Sequence, residues 1–272
     1  MTFLERLSVP IPVVQAPMAG VSTPEMAASV SNAGGLGSIA VGATDAAGAR
    51  EMIDAVEALT LRAFNVNVFV HAAAHPDPVR EAAWLNALSP LFAEFDRSPP
   101  RSLRTIYQSF AQDDDMLALL VARAPKVVSF HFGLPDSDRI AALKQAGCIL
   151  LATVTSLKEA RAAQAAGIDA LVAQGYEAGG HRGTFDPDAP DDRLGTFALT
   201  RLLAKSVDLP IIAAGGIMDG QGVRAALDLG AAAAQLGTAF IACPESAADA
   251  AYRTALAGDA ANQTIMTRVI SG

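Results

Sequence analysis

The sequence predicts an α/β fold: a (β/α)8 TIM barrel with an insertion after its third strand and a smaller, truncated C-terminal lobe. Three observations predict it. The 272 residues suit one barrel, which typically needs ~250. Eight short apolar runs alternate with helical patterns, and that alternation demands parallel strands joined by right-handed crossovers. The runs are continuously apolar, as strands covered on both faces are. With no separate nucleotide-binding half, a closed barrel is favoured over an open doubly wound sheet.

The elements follow in order. Residues 12–18 read as the first strand and 24–32 as its helix. Residues 36–41 and 45–59 are the second pair, with Asp45 as N-cap. The third strand, 63–70, carries Asn65 and Asn67. The insertion then reads as a helix over 77–96, a break at Ser98-Pro99-Pro100, a strand-like run over 103–110 and a helix over 113–122. Alternation resumes with strand 127–132 and helix 138–146, then strand 148–154 and helix 157–166. Strand 170–174 is followed by a polar loop over 184–193 and a helix over 197–206. Strand 210–214, helix 219–229 and strand 232–236 complete the count. After Leu236 the pattern fades, leaving one helix over 246–257 and a last strand-like run over 264–270. The barrel is therefore expected over 1–243, and the start of an incomplete, substrate-side lobe over 244–272.

Composition excludes several classes of function. With 51% hydrophobic and 18% charged residues a large core can form, the opposite of a disordered balance. A net charge of −8 argues against nucleic acid, which favours a basic patch. It leaves room for a small anion held by backbone amides. The longest apolar stretches fall well short of the ~20 residues of a membrane span, and the N-terminus lacks an apolar leader after a basic start. No membrane partner and a cytoplasmic location follow. Cys148 and Cys243 have no motif spacing and read as small buried hydrophobes. His71 and His75 lack a third ligand and read as a solvated loop, so no metal site is expected.

The unusual residues gather at expected strand ends, where a barrel keeps its ligand groups. Gln15-Ala16-Pro17-Met18-Ala19-Gly20 ends the first strand. Pro17 lacks a donor and fixes φ, so the amides of Ala16 and Met18 are expected to face a planar ring. Asn67 and Gln174 end two further strands with side chains that both donate and accept. Gly215 and Gly216, then Gln235, Leu236, Gly237 and Thr238, follow the last two strands and offer amides for a phosphate. A flat heterocycle bearing one phosphate satisfies this set, which describes flavin mononucleotide (FMN) better than a dinucleotide. Gly34-Gly35-Leu36-Gly37 precedes a strand, the wrong context for a dinucleotide fingerprint. In Gln174-Gly175-Tyr176-Glu177-Ala178-Gly179-Gly180-His181-Arg182-Gly183, Gly179 and Gly180 permit close approach or positive φ. They deliver His181, a natural proton acceptor near neutral pH. Arg182 and Glu177 are expected to pair and shape this loop.

Residues 15–22, Val128-Ser129-Phe130-His131-Phe132-Gly133, residues 174–183 and residues 235–238 together resemble the nitronate monooxygenase family. The motifs occur in order across nearly the whole chain. The resemblance implies an FMN-binding barrel with a second, smaller lobe, in which Asn67, Gln174, Gly179, Gly216 and residues 235–238 contact the flavin. It implies oxidation of alkyl nitronates such as propionate 3-nitronate by O2, giving a carbonyl product and nitrite. By the same resemblance His181 is the base toward a neutral nitroalkane. With a preformed nitronate, His181 and His131 hold the nitro oxygens. Tyr107, on the insertion, is a candidate hydrogen-bond donor to the nitro group. The alternative reading is a flavin-dependent NAD(P)H reductase of quinones or enoyl thioesters, and a non-enzymatic flavin sensor is the third.

Overall fold

A computed structural model describes residues 1–73 and 75–268. Its eight strands are β1 (Val13–Gln15), β2 (Gly37–Ala40), β3 (Phe64–Phe69), β4 (Val127–His131), β5 (Ile149–Val154), β6 (Ala170–Gln174), β7 (Ile211–Ala214) and β8 (Ala233–Leu236). All pairings are parallel, in the order β1-β8-β7-β6-β5-β4-β3-β2. A bridge between Val14 and Leu36 closes the ring, with Gln15 N–H to Leu36 O and Leu36 N–H to Val13 O both 2.9 Å. The expected barrel is present.

The strand period of two sorts the side chains. Leu150, Ala152, Leu171, Ala173, Val128 and Phe130 join the core under the surrounding helices. Val127, Ile149, Leu151, Ala170, Val172 and Ile212 form a second cluster inside the barrel. The short helix α1 (Phe3–Leu7) plugs the bottom of that interior with Phe3 and Leu7. The sequence reading passed over α1, although Thr2 and Glu5 form a complete capping box, a motif visible as Thr-x-x-Glu.

The helices between strands are α2 (Pro24–Asn32), α3 (Ala46–Leu59), α4 (Pro78–Ala93), α5 (Asp114–Arg123), α6 (Ser137–Gln145), α7 (Leu157–Ala165), α8 (Thr196–Ser206) and α9 (Gly220–Asp228). Most start on a side-chain cap, as Asp45 shows by accepting from Gly48 N–H at 2.9 Å. Such a cap is worth ~1 kcal/mol. Helix α8 has Gly195 at its cap position and no side-chain cap of its own. Glu177, from the loop after β6, accepts from Thr196 N–H at 2.8 Å instead.

Two expectations fail. Residues 103–110 form no strand; they run as a loop into a 3-10 turn at Phe110–Gln112. Their Ile106 and Tyr107 favour strands, but the barrel is already closed and offers no edge to pair with. Residues 264–268 are also irregular, and the rest of that expected strand lies outside the described residues. Past β8 come α10 (Thr238–Ile241) and α11 (Ala250–Ala257). The segment between them stays tied to the barrel, with Thr23 Oγ1 to Glu245 O at 2.6 Å and Ala247 N–H to Val21 O at 3.0 Å. No described helix is long and apolar enough to cross a membrane.

Candidate active site

The same alternation that buries Val127, Ala170 and Ala233 inward also turns Asn67, Ser129, His131, Gln174 and Gln235 toward the barrel interior at its C-terminal end. Register ties them together: Asn67 lies beside Ser129 on β4, and Ala214 lies between Gln174 and Gln235. The following loops converge on the same rim. A Cβ placed on Gly179 would sit 3.7 Å from Thr238 Oγ1. One on Gly216 would sit 3.4 Å from Glu177 Cβ, and one on Gly237 3.5 Å from Ala16 Cβ and 3.8 Å from Met18 Sδ. Residues from the first, sixth, seventh and eighth strand ends therefore share one mouth.

The loop carrying His181 is stitched onto the end of β6. Gln174 Nε2 donates to His181 O at 2.9 Å, and its Oε1 accepts from Gly183 N–H at 2.7 Å. Arg182 donates to Gln174 O at 2.6 Å and grips Asp191 with two bonds of 2.9 Å. The expected Arg182–Glu177 pair is not formed, because Glu177 is committed to the start of α8. Gly180, at φ +74°, makes the turn that leaves His181 exposed at the rim.

His131 is held differently. Its Nε2 donates to His181 O at 3.3 Å. The Phe132 ring lies edge-on to it at 4.4 Å and to His181 at 5.7 Å. A Cβ on Gly183 would fall 2.7 Å from His131 Cε1. Burial of the ring pushes its pKa down to about 4, the hydrogen bond to His181 opposing this and the charge of a protonated His181 adding to it. His131 is thus neutral near pH 7. Phe132 reaches its position with φ +73°, a left-handed conformation uncommon for a bulky residue and one that clusters at functional sites.

Several expected ligand groups are already engaged. Ala16 N–H donates to Leu236 O at 2.8 Å and Met18 N–H to Ser22 Oγ at 2.9 Å. Neither N–H is available to a ring, so these residues and Pro17 can offer apolar surface but not those donors. The reason is local: Ser22 folds back on the turn that Pro17 begins, and Gln15 Nε2 holds that serine at 2.8 Å. Leu236 packs outward against Ile217 and Ala226. Asn67 Nδ2 is shared between Ser129 Oγ at 3.0 Å and Ser129 O at 3.2 Å. Tyr107 is 45% exposed on the insertion, and the ring contacts of the two histidines among the described residues are with Phe69 and Phe132. The sequence reading missed Phe132, Gly183 and Asp191. Gly183 stood within the glycine-rich motif and Phe132 within the run over 128–133; nothing local marks Asp191.

The residues present fit a phosphate-bearing flavin. Gly215 and Gly216 have φ +119° and +67°, and the amides of Gly216 and Gly237 find no protein acceptor among the described residues. Thr238, exposed beside Gly179, adds a hydroxyl.

Comparison with known proteins identifies the family. The family profile described as Nitronate monooxygenase matches residues 2–272. The chain is similar to a nitronate monooxygenase of Paraburkholderia phytofirmans, 60% identical over 99% of this chain and 74% of that protein. A second, of Pseudomonas aeruginosa, is 54% identical over 99% and 77%. Among solved structures, a nitroalkane oxidase from Streptomyces ansochromogenes superposes with a TM-score of 0.89 at 41% identity, covering 97% of this chain and 76% of that one. With its sequence and its overall fold both aligned in this way, the chain belongs to the nitronate monooxygenase family, a family of flavoenzymes.

Proposed function

We propose that the chain oxidises alkyl nitronates with O2, on a bound FMN, to a carbonyl compound and nitrite. The observation that carries this reading is the convergence of His181, Gly179, Gly216 and Thr238 on one rim. The phosphate would lie against the amides of Gly216 and Gly237 and the Thr238 hydroxyl. The ring would lie over the apolar surface of Ala16, Pro17 and Met18, with Asn67, Gln174 and Gln235 below it and Gly179 and Gly180 beside it. When bound, FMN supplies the electron transfer between substrate and O2.

The protein's own part is binding, orientation and proton handling. Exposed at the rim, His181 is the group able to take the α-proton of a neutral nitroalkane, giving the nitronate. His131 is neutral and its Nε2–H is committed to the His181 carbonyl. It serves as a positioning residue rather than as a cationic clamp on the nitro oxygens. The residues after 243 we read as the start of a substrate-side lobe, beginning with α11, none of whose residues is buried. Cytoplasmic action accords with the free thiols of Cys148 and Cys243.

His181→Asn separates the roles. It should retain flavin absorbance and lose turnover of neutral nitroalkanes by about 100-fold or more, the typical worth of a general base. Unchanged turnover would remove His181 as the base. Anaerobic reduction of the flavin by NADH, with no nitronate-dependent release of nitrite, would favour the reductase reading instead.

A further inference from the structure

We propose that Asp191 is a positioning residue for the reaction, a latch that acts through Arg182 to hold His181 over the barrel mouth. The inference rests on the reading of His181 as the base and adds a residue 10 positions away in sequence.

The latch is continuous in the hydrogen bonds. Both oxygens of Asp191 are used: Oδ2 accepts from Arg182 Nε and Oδ1 from Arg182 Nη2, each at 2.9 Å. This two-pronged pairing fixes the guanidinium plane as well as its distance. The remaining nitrogen, Nη1, donates to Gln174 O at 2.6 Å. Gln174 in turn holds the residues either side of Arg182, through His181 O and Gly183 N–H. The strand end, the histidine backbone and the polar loop are thereby one unit. His181 O also receives His131 Nε2 at 3.3 Å, so the latch reaches the second histidine.

Asp191 is itself well supported. Its Oδ1 accepts from Arg193 N–H at 2.9 Å, which stabilises the left-handed turn at Arg193, φ +51°. The guanidinium groups of Arg182 and Arg193 both lie over the Tyr176 ring, at 5.6 and 5.9 Å from its centre. Side-chain exposures are 10% for Arg182 and 22% for Asp191, so the pair is far better shielded than a surface ion pair. The Arg182 hydrogen bond, outweighing the cost of burial, holds the Asp191 carboxyl below its ordinary value of 3.8. The carboxylate is charged throughout the neutral range.

A base displaced by even 1 Å can cost about 100-fold in rate, so loosening the latch should act on proton abstraction before anything else. The test is Asp191→Asn, assayed with nitroethane and with its preformed nitronate. Proton removal is needed only for the first. The expected result is a fall of about 10-fold or more in kcat/KM for nitroethane relative to the nitronate, with flavin content unchanged. Arg182→Lys, which keeps the charge and loses the fork, should behave alike; Asp191→Glu should recover part of the ratio. A purely structural role would lower both substrates together, and that result would overturn the proposal.

A second readout does not depend on turnover. Tryptic cleavage after Arg193 should be about 10-fold faster in Asp191→Asn than in the unaltered chain, and equal rates would also overturn the latch. If the unaltered chain turns over neither substrate, the functional reading fails while cleavage still decides the latch.

Discussion

The neutrality of His131 has a measurable consequence for acid stability. Burial holds its pKa at about 4 in the folded chain, against an ordinary 6.5. In the unfolded chain the imidazole gains a proton once pH falls below about 6.5, while the folded chain resists it. The unfolded state then binds more protons, so stability falls as pH falls. The contribution is fully present above pH 6.5 and is lost progressively down to about pH 4. At about 1.36 kcal/mol per pH unit, the gap is worth at most roughly 3 kcal/mol. His131 retains some residual exposure, which places the true figure below that ceiling. The perturbation is His131→Gln, which keeps a donor for the His181 carbonyl and cannot titrate. Urea unfolding of both proteins, compared at pH 7.5, 6.5, 5.5 and 4.5, should give a stability difference that shifts toward the variant as pH drops. Carboxylates common to both cancel in the difference. A constant difference across the series, or an imidazole Cε1–H resonance for His131 titrating near 6.5, would refute the reasoning.

Two glycines on the rim give further tests. Gly183→Ala should destabilise the protein by about 1–3 kcal/mol, since its Cβ would fall 2.7 Å from both His131 Cε1 and Thr153 Cγ2; an unchanged melting temperature would contradict this packing. Gly215→Ala combines φ +119° with a Cβ 2.7 Å from Thr196 Oγ1 and 3.0 Å from Ala178 N. It should weaken flavin retention on gel filtration at least about 10-fold, the ratio of a shift of about 1.4 kcal/mol, and full retention would sink the assignment of that loop.

Much of the fold was legible because barrel strands are sealed on both faces. Residues 148–154 and 170–174 read as largely apolar strands for that reason, and both ends of β6 were anticipated to the residue. Capping was legible too, as at Asp45. The two helices of the insertion were legible as well, but the stretch between them was not, since Ile106 and Tyr107 carry strand propensity without a strand beside them. Propensity records what a residue tolerates, and pairing depends on what is adjacent in space.

The site divides along the same line. Glycine at 179, 180, 215, 216 and 237, and histidine at 181, are covalent facts, and the proposed ligand site and proton acceptor rest on them. Which amides remain available is decided by the folded chain: Ser22 takes that of Met18, and Leu236 that of Ala16. Partner choice is equally a tertiary matter. Glu177, five positions from Arg182, is drawn to the uncapped start of α8, leaving the arginine to Asp191. A local sequence lists the groups that can bond. Only closure of the barrel, by fixing their separations and removing water, selects the bonds that form.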